Sequence, residues 1–252
     1  MLDDFVLIRS KFEAEPYINI YPLGDVHLGS KECNMELLTQ WVETVAADPL
    51  GYVVIVGDMM NMGLKNSRSN VYEEILNPAE QKELCYRVLN PIADKILAGC
   101  SGNHEYRACK EVGMNPLYDV FCRMRIEDRY RENACFIKLT VGKQGKNPNT
   151  YGLVLTHGKS KAKDERWTYA VDGCDCFISG HTHLGTHQPM GKIKMDLSHD
   201  RVKMVGYHQI VVMPFQQYGG YAVRDKYMPN CLGQFQRVRF DGFSKRIEYA
   251  YM

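Results

Sequence analysis

Five short segments constrain this chain more than any other feature: Gly24-Asp25-Val26-His27, Gly57-Asp58-Met59-Met60-Asn61, Gly102-Asn103-His104-Glu105, Thr156-His157-Gly158 and Gly180-His181-Thr182-His183. Each follows an apolar run and carries a glycine that lets the backbone turn sharply, so each sets metal-binding side chains at a strand end. Asp25 and His27, two residues apart, can leave an extended backbone on one side and meet a single ion. Asp58 directly follows Val53-Val54-Ile55-Val56-Gly57, and a carboxylate at the end of a buried strand needs a strong partner to offset its desolvation. His181 and His183 repeat the two-residue spacing and can address two ions about 3.5–4 Å apart. Without Asp58 and the later histidines, Asp25 and His27 read as a turn aspartate and a surface histidine. The joint order of all five segments favours ligation.

With Asn103 and His157 the set comes to seven oxygen or nitrogen ligands. That is enough for two divalent ions that share a carboxylate and keep positions open for water and substrate. The amide oxygen of Asn103 coordinates without adding negative charge to a site that must admit an anion. His104, on the same loop, points elsewhere and is the candidate general acid, because an imidazole with an unperturbed pKa of about 6.5 donates a proton near neutrality. A third metal ligand or a supporting residue is the alternative role for His104.

With 252 residues, 45% hydrophobic and 24% charged, the chain can bury one substantial core, and a single domain over residues 1–252 without a separate cap is expected. The 31 basic side chains nearly balance 30 acidic ones, for a net charge of +1. Global attraction to nucleic acid or to an anionic membrane is thereby excluded, and polyanion binding has to be local. The start Met1-Leu2-Asp3-Asp4-Phe5 has no basic region followed by an apolar stretch, and no run of about 18 apolar residues occurs. The expectation is a soluble, cytoplasmic protein that does not engage membrane. Nine cysteines, among them Cys85, Cys100, Cys122 and Cys135, lie in apolar segments without zinc-ribbon spacing and read as reduced core residues. Cys174-Asp175-Cys176 reads as small residues entering a buried strand.

Strand and helix alternate through the first half. An apolar run from Tyr17 to Leu23 precedes Asp25, with Pro22 placed where the strand turns outward. Asn34 caps a helix carrying Met35, Leu38, Trp41, Val42 and Val45 at helical spacing, and Tyr52 to Val56 is the strand before Asp58. Asn77-Pro78 and Asn115-Pro116 each open a helix, with Ile96-Leu97-Ala98 as the strand between, and Pro91 divides or kinks the first of them. After Arg131 the texture turns to β: Cys135 to Val141, Tyr151 to Leu155, Cys176 to Ile178, Gln209 to Met213, and a hairpin of Gln234–Phe240 and Arg246–Tyr251 turned near Asp241-Gly242. This predicts an α/β fold of two sheets packed face to face.

These segments, in this order, resemble the calcineurin-like metallophosphoesterase superfamily, over the span from Gly24 to His183. The resemblance implies a four-layer α/β/β/α sandwich, two packed mixed sheets flanked by helices. It implies Asp25, His27 and His183 on one ion, Asn103, His157 and His181 on the other, and Asp58 bridging. It further implies a dinuclear-metal-dependent phosphoester hydrolase working by in-line attack of a metal-bridging hydroxide, with His104 assisting the leaving group. Asn61 departs from the pattern, since many members carry an acidic residue there to orient the catalytic histidine. Asparagine can hydrogen-bond His104 but supplies no charge. Gly-Asp-Val-His-Leu-Gly and Gly-Asn-His-Glu are similar to the Mre11/SbcD-like nuclease branch, which makes DNA the first substrate to consider and manganese the first metal. Iron, zinc, cobalt and nickel also suit the mixed ligands.

Lys159, Lys161, Lys163 and Arg166 follow ligand His157 and are candidate phosphate-binding residues; solvated surface is the plainer reading. The same holds for Arg123, Arg125, Arg129 and Arg131, for Arg237 and Arg239, and for Tyr218, Tyr221 and Tyr227 near Arg224, which could stack on bases or pack over a sheet edge. The alternatives to a nuclease are a hydrolase of nucleotides, phosphoproteins or small phosphoesters, and a non-catalytic metal-binding scaffold with a protein partner. Beyond His183 no further motif is assigned.

Overall fold

Successive residues of the central strands enter different cores. Ile18, Ile20, Val54 and Val56 face one apolar cluster, while Tyr21, Leu23, Val53 and Ile55 face another. A strand that is apolar on both faces has to be covered on both, which requires a sheet between two further layers. The computed structural model describes residues 4–65, 71–142, 148–224, 226, 229 and 233–252. The chain runs β1 (Ile8–Phe12), β2 (Tyr17–Leu23), α1 (Met35–Ala47), β3 (Gly51–Ile55), α2 (Pro78–Leu89), β4 (Ile96–Cys100), α3 (Asn103–Val112), α4 (Pro116–Arg123), β5 (Tyr130–Arg131), β6 (Ala134–Val141), β7 (Asn149–Thr156), α5 (Lys161–Ala170), β8 (Cys176–Ser179), β9 (His187–Asp196), β10 (Arg201–Val211), α6 (Gly220–Arg224), β11 (Gln236–Asp241) and β12 (Ile247–Tyr251).

Two six-stranded mixed sheets result, in the orders β12-β11-β2-β3-β4-β5 and β1-β6-β7-β8-β10-β9. Their inner faces meet in a core that includes Ile20, Val54, Leu139, Ile178 and Phe240. On the outside of the first sheet, α1, α2 and α4 contribute Trp41, Cys85 and Phe121. On the outside of the second, Trp167 of α5 packs on Phe136 and Phe177. The protein is therefore a four-layer α/β/β/α sandwich.

Local chemistry sets the helix starts as the sequence predicts. Asn34 and Asn115 accept from the backbone N–H groups of Leu37 and Tyr118, and Asn77 forms a capping box with Glu80 ahead of Pro78. α2 ends at Leu89, and Pro91 falls in the 3₁₀ turn after it. Pro22 is tolerated inside β2 because the ladder with β11 ends at Ile20, so no partner is waiting for its missing N–H on that side.

Several features depart from the sequence reading. β1, α3, α5 and the long β9–β10 hairpin are absent from it, and of the hairpin it holds only the strand from Gln209 onward. Arg129 and Arg131 are not a surface patch: Arg129 donates to the carbonyls of Ala93, Asp94 and Ile96, and Arg131 is buried and donates to those of Asp128 and Tyr130. Arg239 likewise stacks on Tyr17 and bonds Asn19. Cys122 is exposed, whereas Cys85, Cys100, Cys135, Cys174 and Cys176 are buried and unbridged.

β2, β3 and β4 are parallel neighbours, as are β7 and β8. Their carboxyl ends lie together, and the loops leaving them carry the five segments. Gly57 is where two of these loops touch. Its φ is +85°, and a Cβ there would sit 2.1 Å from the Gly102 backbone nitrogen. Gly57→Ala is expected to lower stability by about 2 kcal/mol or more and to weaken metal uptake at the same time. Urea titration paired with calorimetric metal titration checks both effects, and an alanine variant normal in both would show that the loops can separate without harm.

Candidate metal centre

Ligand-bearing loops can converge only if the backbone turns abruptly at the end of each strand. Asp25, His27, Asp58, His181 and His183 all have positive φ, between 50° and 71°. Side chains other than glycine are rarely found there, and each such residue costs roughly 1–3 kcal/mol. The cost is met by hydrogen bonds between loops. The N–H groups of Asp25, Val26, His27 and Leu28 donate to the carbonyls of Gly57, Asp58, Asp58 and Met59. The His181 N–H donates to the Asp25 carboxylate, at 2.9 Å to Oδ2.

The structure brings all seven sequence-derived ligands together. Asp25, His27 and His183 form one triad and Asp58, His157 and His181 another, with the ligand atoms of each triad within 4.8 Å of one another. A third grouping, His27, Asp58 and His104, overlaps both. His27 Nε2 is 3.4 Å from His183 Nε2, and His183 Nε2 is 3.5 Å from Asp25 Oδ1. Asn103, at the start of α3, adds its oxygen to the second triad, 2.9 Å from His157 Nε2 and 2.7 Å from His181 Nδ1. Asp58 stands between the triads. Its Oδ1 accepts from the His104 N–H at 2.8 Å, while Oδ2 lies 3.1 Å from His157 Nε2 and 4.0 Å from His27 Nε2.

The donor set suits divalent cations because the tautomers are fixed by outer partners. His157 Nδ1 donates to the Val56 carbonyl at 2.8 Å, leaving the lone pair of Nε2 inside the cluster. His27 Nδ1 donates to Asn61 Oδ1 at 3.1 Å, with the same result for its Nε2. Burial raises the pKa of the Asp58 carboxyl, but His157 and its neighbours outweigh that and hold it well below the usual carboxylate range. Conversely burial disfavours charge on His157, yet the Asp58 carboxylate pushes it up to about 10. Metal and proton therefore compete for the same imidazole.

Asn61 does not bear on His104 in the way the sequence suggested. Its side chain bonds His27, and the contact with His104 is made by its main-chain carbonyl, 2.6 Å from His104 Nδ1. The charge that asparagine lacks is supplied one residue further out, where Asn61 Nδ2 donates to Glu74 Oε1 at 2.5 Å and Glu74 Oε2 accepts from Gln81. The relay from Glu74 through Asn61 to His27 was not foreseen, because Glu74 and Gln81 are distant in sequence and sit in no motif. Burial keeps the pKa of Glu74 above its ordinary value, though its two amide donors oppose the shift.

Two more residues join the site. Glu105, fully buried, accepts from the backbone N–H groups of Asp58, Met60 and Gly102 at 2.9, 3.0 and 2.9 Å. Burial and the Asp58 charge push its pKa up to about 7 against the pull of these donors. The signal was available, since Glu105 is the third residue of a helix whose cap, Gly102, has no side chain. Arg107 sets its guanidinium nitrogens 3.2 and 3.1 Å from the two ring nitrogens of His104. Helical spacing from His104 could have pointed to it. Among the candidate phosphate-binding residues, Lys159, Lys163 and Arg166 are exposed, and the side chain of Lys161 lies outside the described residues. Lys159 is near the cluster: after burial and His157, its charge helps hold the pKa of His181 down. Tyr218 is partly exposed, whereas the side chains of Tyr221 and Tyr227 lie outside the described residues.

The two supports act on different things. Glu105→Gln turns an amide N–H toward backbone donors that need an acceptor, so it should destabilise the fold by about 2–3 kcal/mol. Asn61→Ala keeps the carbonyl that holds His104 and removes the side-chain bonds to His27 and Glu74, so metal affinity should fall roughly 10–100-fold with a smaller loss of stability than in Glu105→Gln. Metal titration and chemical denaturation of both variants separate the effects; equal metal affinity in Asn61→Ala and the parent would remove the relay from the account.

The calcineurin-like phosphoesterase family profile matches residues 18–203. A search of curated proteins found no match. Among solved structures the chain is similar to calcineurin-like phosphoesterase YfkN from Bacillus subtilis, at 10% identity over 94% of this chain and 90% of that one with a TM-score of 0.41. It is also similar to wild-type Vps29 complexed with Zn²⁺ from Entamoeba histolytica, at 9% identity over 93% and 98% with a TM-score of 0.37. With the profile spanning most of the chain and two ligand triads at its strand ends, the protein belongs to the calcineurin-like phosphoesterase family and is a metal-dependent hydrolase.

Proposed function

We propose that this hydrolase cleaves phosphodiesters, with DNA as its substrate and manganese as its metal. The observation that carries the hydrolytic reading is the setting of His104. Its Nδ1 is committed to the Asn61 carbonyl, so Nε2 is the atom turned toward the cluster, 3.7 Å from Asp58 Oδ2 and 3.1 Å from an Arg107 nitrogen that has to shift to a phosphoryl oxygen when Nε2 carries a proton. An alkoxide leaving from any phosphoester needs a proton at that position, and a protonated Nε2 supplies it; the choice of a diester rests on the resemblance of the segments. Burial lowers the pKa of His104 and Arg107 lowers it further, against the opposing pull of Asp58. An arriving phosphate anion favours the protonated ring again.

Asp25, His27 and His183 would hold one ion and Asn103, His157 and His181 the other, with Asp58 shared. When bound, two such ions polarise phosphoryl oxygens and lower the pKa of coordinated water. Arg107 orients the His104 ring and offers a cation to a phosphoryl oxygen. Support for DNA comes from the resemblance of Gly24–Gly29 and Gly102–Glu105 to the nuclease branch and from the exposed cations Lys159, Lys163 and Arg166 beside ligand His157. With the near-zero net charge, affinity rests on those local cations and is modest.

His104→Ala is expected to retain both metals and to lose about 10²–10⁴-fold in turnover of diesters with poor leaving groups, with a smaller drop on an activated aryl diester. The combined alanine variant at Lys159, Lys163 and Arg166 should weaken DNA binding and flatten the slope of log affinity against log salt by about one for each phosphate that is no longer neutralised, leaving small-diester turnover intact. A manganese-supplied substrate panel decides between readings. If the parent cuts small diesters but no DNA, the protein is a small-phosphoester hydrolase; if it binds two metals and turns over nothing, the scaffold reading replaces both.

A further inference from the structure

β10 pairs with β8 only from His208 to Val211. Its pairing with β9 continues without β8 down to Arg201, so the two strands leave the sheet as a two-stranded arm. Gly191 faces Gly206 where the arm begins. Residues 202 and 204 continue the alternation that sends Ile210 and Val212 into the core between the sheets. Their register partners, Met195 and Ile193, lie on the same face. Along the arm this inner face has no second sheet opposite it among the described residues. Ile193 is 76% exposed, Met195 69%, Val202 68% and Met204 79%, with Leu197 at the tip 81%.

The other face is polar and turned toward the protein's own body. Lys192 donates to the Val171 carbonyl at 3.2 Å, and Lys194 pairs with Asp172 at 3.2 Å. The arm thus shows an inverted arrangement, with lysines held against the domain and aliphatic side chains facing away from it. The four strand side chains expose roughly 600 Å², at the top of the ~300–600 Å² range of the largest patch on a monomer, with Leu197 beyond them at the tip. An isolated two-stranded ribbon is itself marginal in water and gains most from a covering layer.

We propose that the apolar face of this arm packs against the same face of a second copy of the chain, forming a two-fold symmetric dimer. The face repeats the chemistry of the sandwich interior, so the surface that fits it is another apolar β-face about 10 Å away. The face has no cation of its own to draw an acidic partner or lipid headgroups, because Lys192 and Lys194 point the other way. Full coverage of the face on both copies would bury up to roughly 1,200 Å², at the lower end of the ~1,200–2,000 Å² of standard interfaces. A closed isologous contact uses the patch fully on both subunits.

The test is sedimentation velocity of the full, manganese-loaded chain at micromolar concentration. The parent should run at twice the chain mass, and Ile193→Glu/Met204→Glu at the chain mass with an unchanged circular dichroism spectrum. Mixing that variant with Ile193→Lys/Met204→Lys should restore the dimer through opposite charges. Should the double variants misfold, amide exchange of the parent decides: protection of residues 191–206 should rise with protein concentration. A parent that stays monomeric, a dimer indifferent to the glutamates, or concentration-independent exchange overturns the proposal. A monomer that floats with phosphatidylserine–phosphatidylcholine vesicles overturns it in favour of a lipid surface.

Discussion

The buried carboxylate of Asp58 is the interaction on which the arrangement rests. One oxygen is fixed by the backbone N–H at the start of α3, the other faces His157, His104 and His27. The residue is only 2% exposed. A carboxylate so placed is costly unless positive charge surrounds it, and imidazolium or metal cations are the charges available. The two sheets therefore close around a site that is stable only when charge is supplied to it. Binding cations and folding are linked here in one residue.

The left-handed backbone at five ligands follows from that requirement. Two ions a few ångströms apart need donors from loops that leave different strands and turn inward within one or two residues. Extended backbone carries side chains past the site, and helical backbone needs a full turn. The αL conformation makes the turn in a single residue, and aspartate and histidine tolerate it better than most. Strain of this kind persists only where neighbours over-determine it. Here the neighbours are the backbone bonds joining the Asp25 and Asp58 loops and the three N–H groups gathered by Glu105.

How much of this could be read from the sequence follows the same division. The layers were legible because strands apolar on both faces, such as β3, are short and unbroken, and because Asn34, Asn77 and Asn115 mark helix starts by their own side-chain chemistry. The seven candidate ligands were legible as a set because metal ligation calls for a chemically distinctive residue at each strand end, and the structure gathers them in one cluster. Glu74, Gln81 and Arg107 were not, because support residues act through contacts between remote segments and use residue types common on any surface. The arm is illegible for another reason: its outward face looks like core in sequence, Ile193 and Met195 alternating with lysines, and only the exposure of these side chains reveals that no described residue covers them. The arginines at 129 and 131 failed in the reverse direction, a charge cluster by letter that serves to bond main-chain carbonyls.

The substitution at position 61 shows why such supports matter for chemistry. An acidic side chain there would place an anion directly on an imidazole and raise its basicity. This chain keeps the anion, in Glu74, but puts a neutral amide between it and His27. The amide passes on orientation, because its oxygen is committed to accepting and its nitrogen to donating, and it attenuates the charge by distance. His104 meanwhile sees only the main-chain carbonyl of the same residue, a dipole that would survive any side chain at that position. The orientation of His27 and that of His104 are thus separated within a single residue. Changes in the side chain of Asn61 act on His27, and the geometry at His104 is left to the backbone.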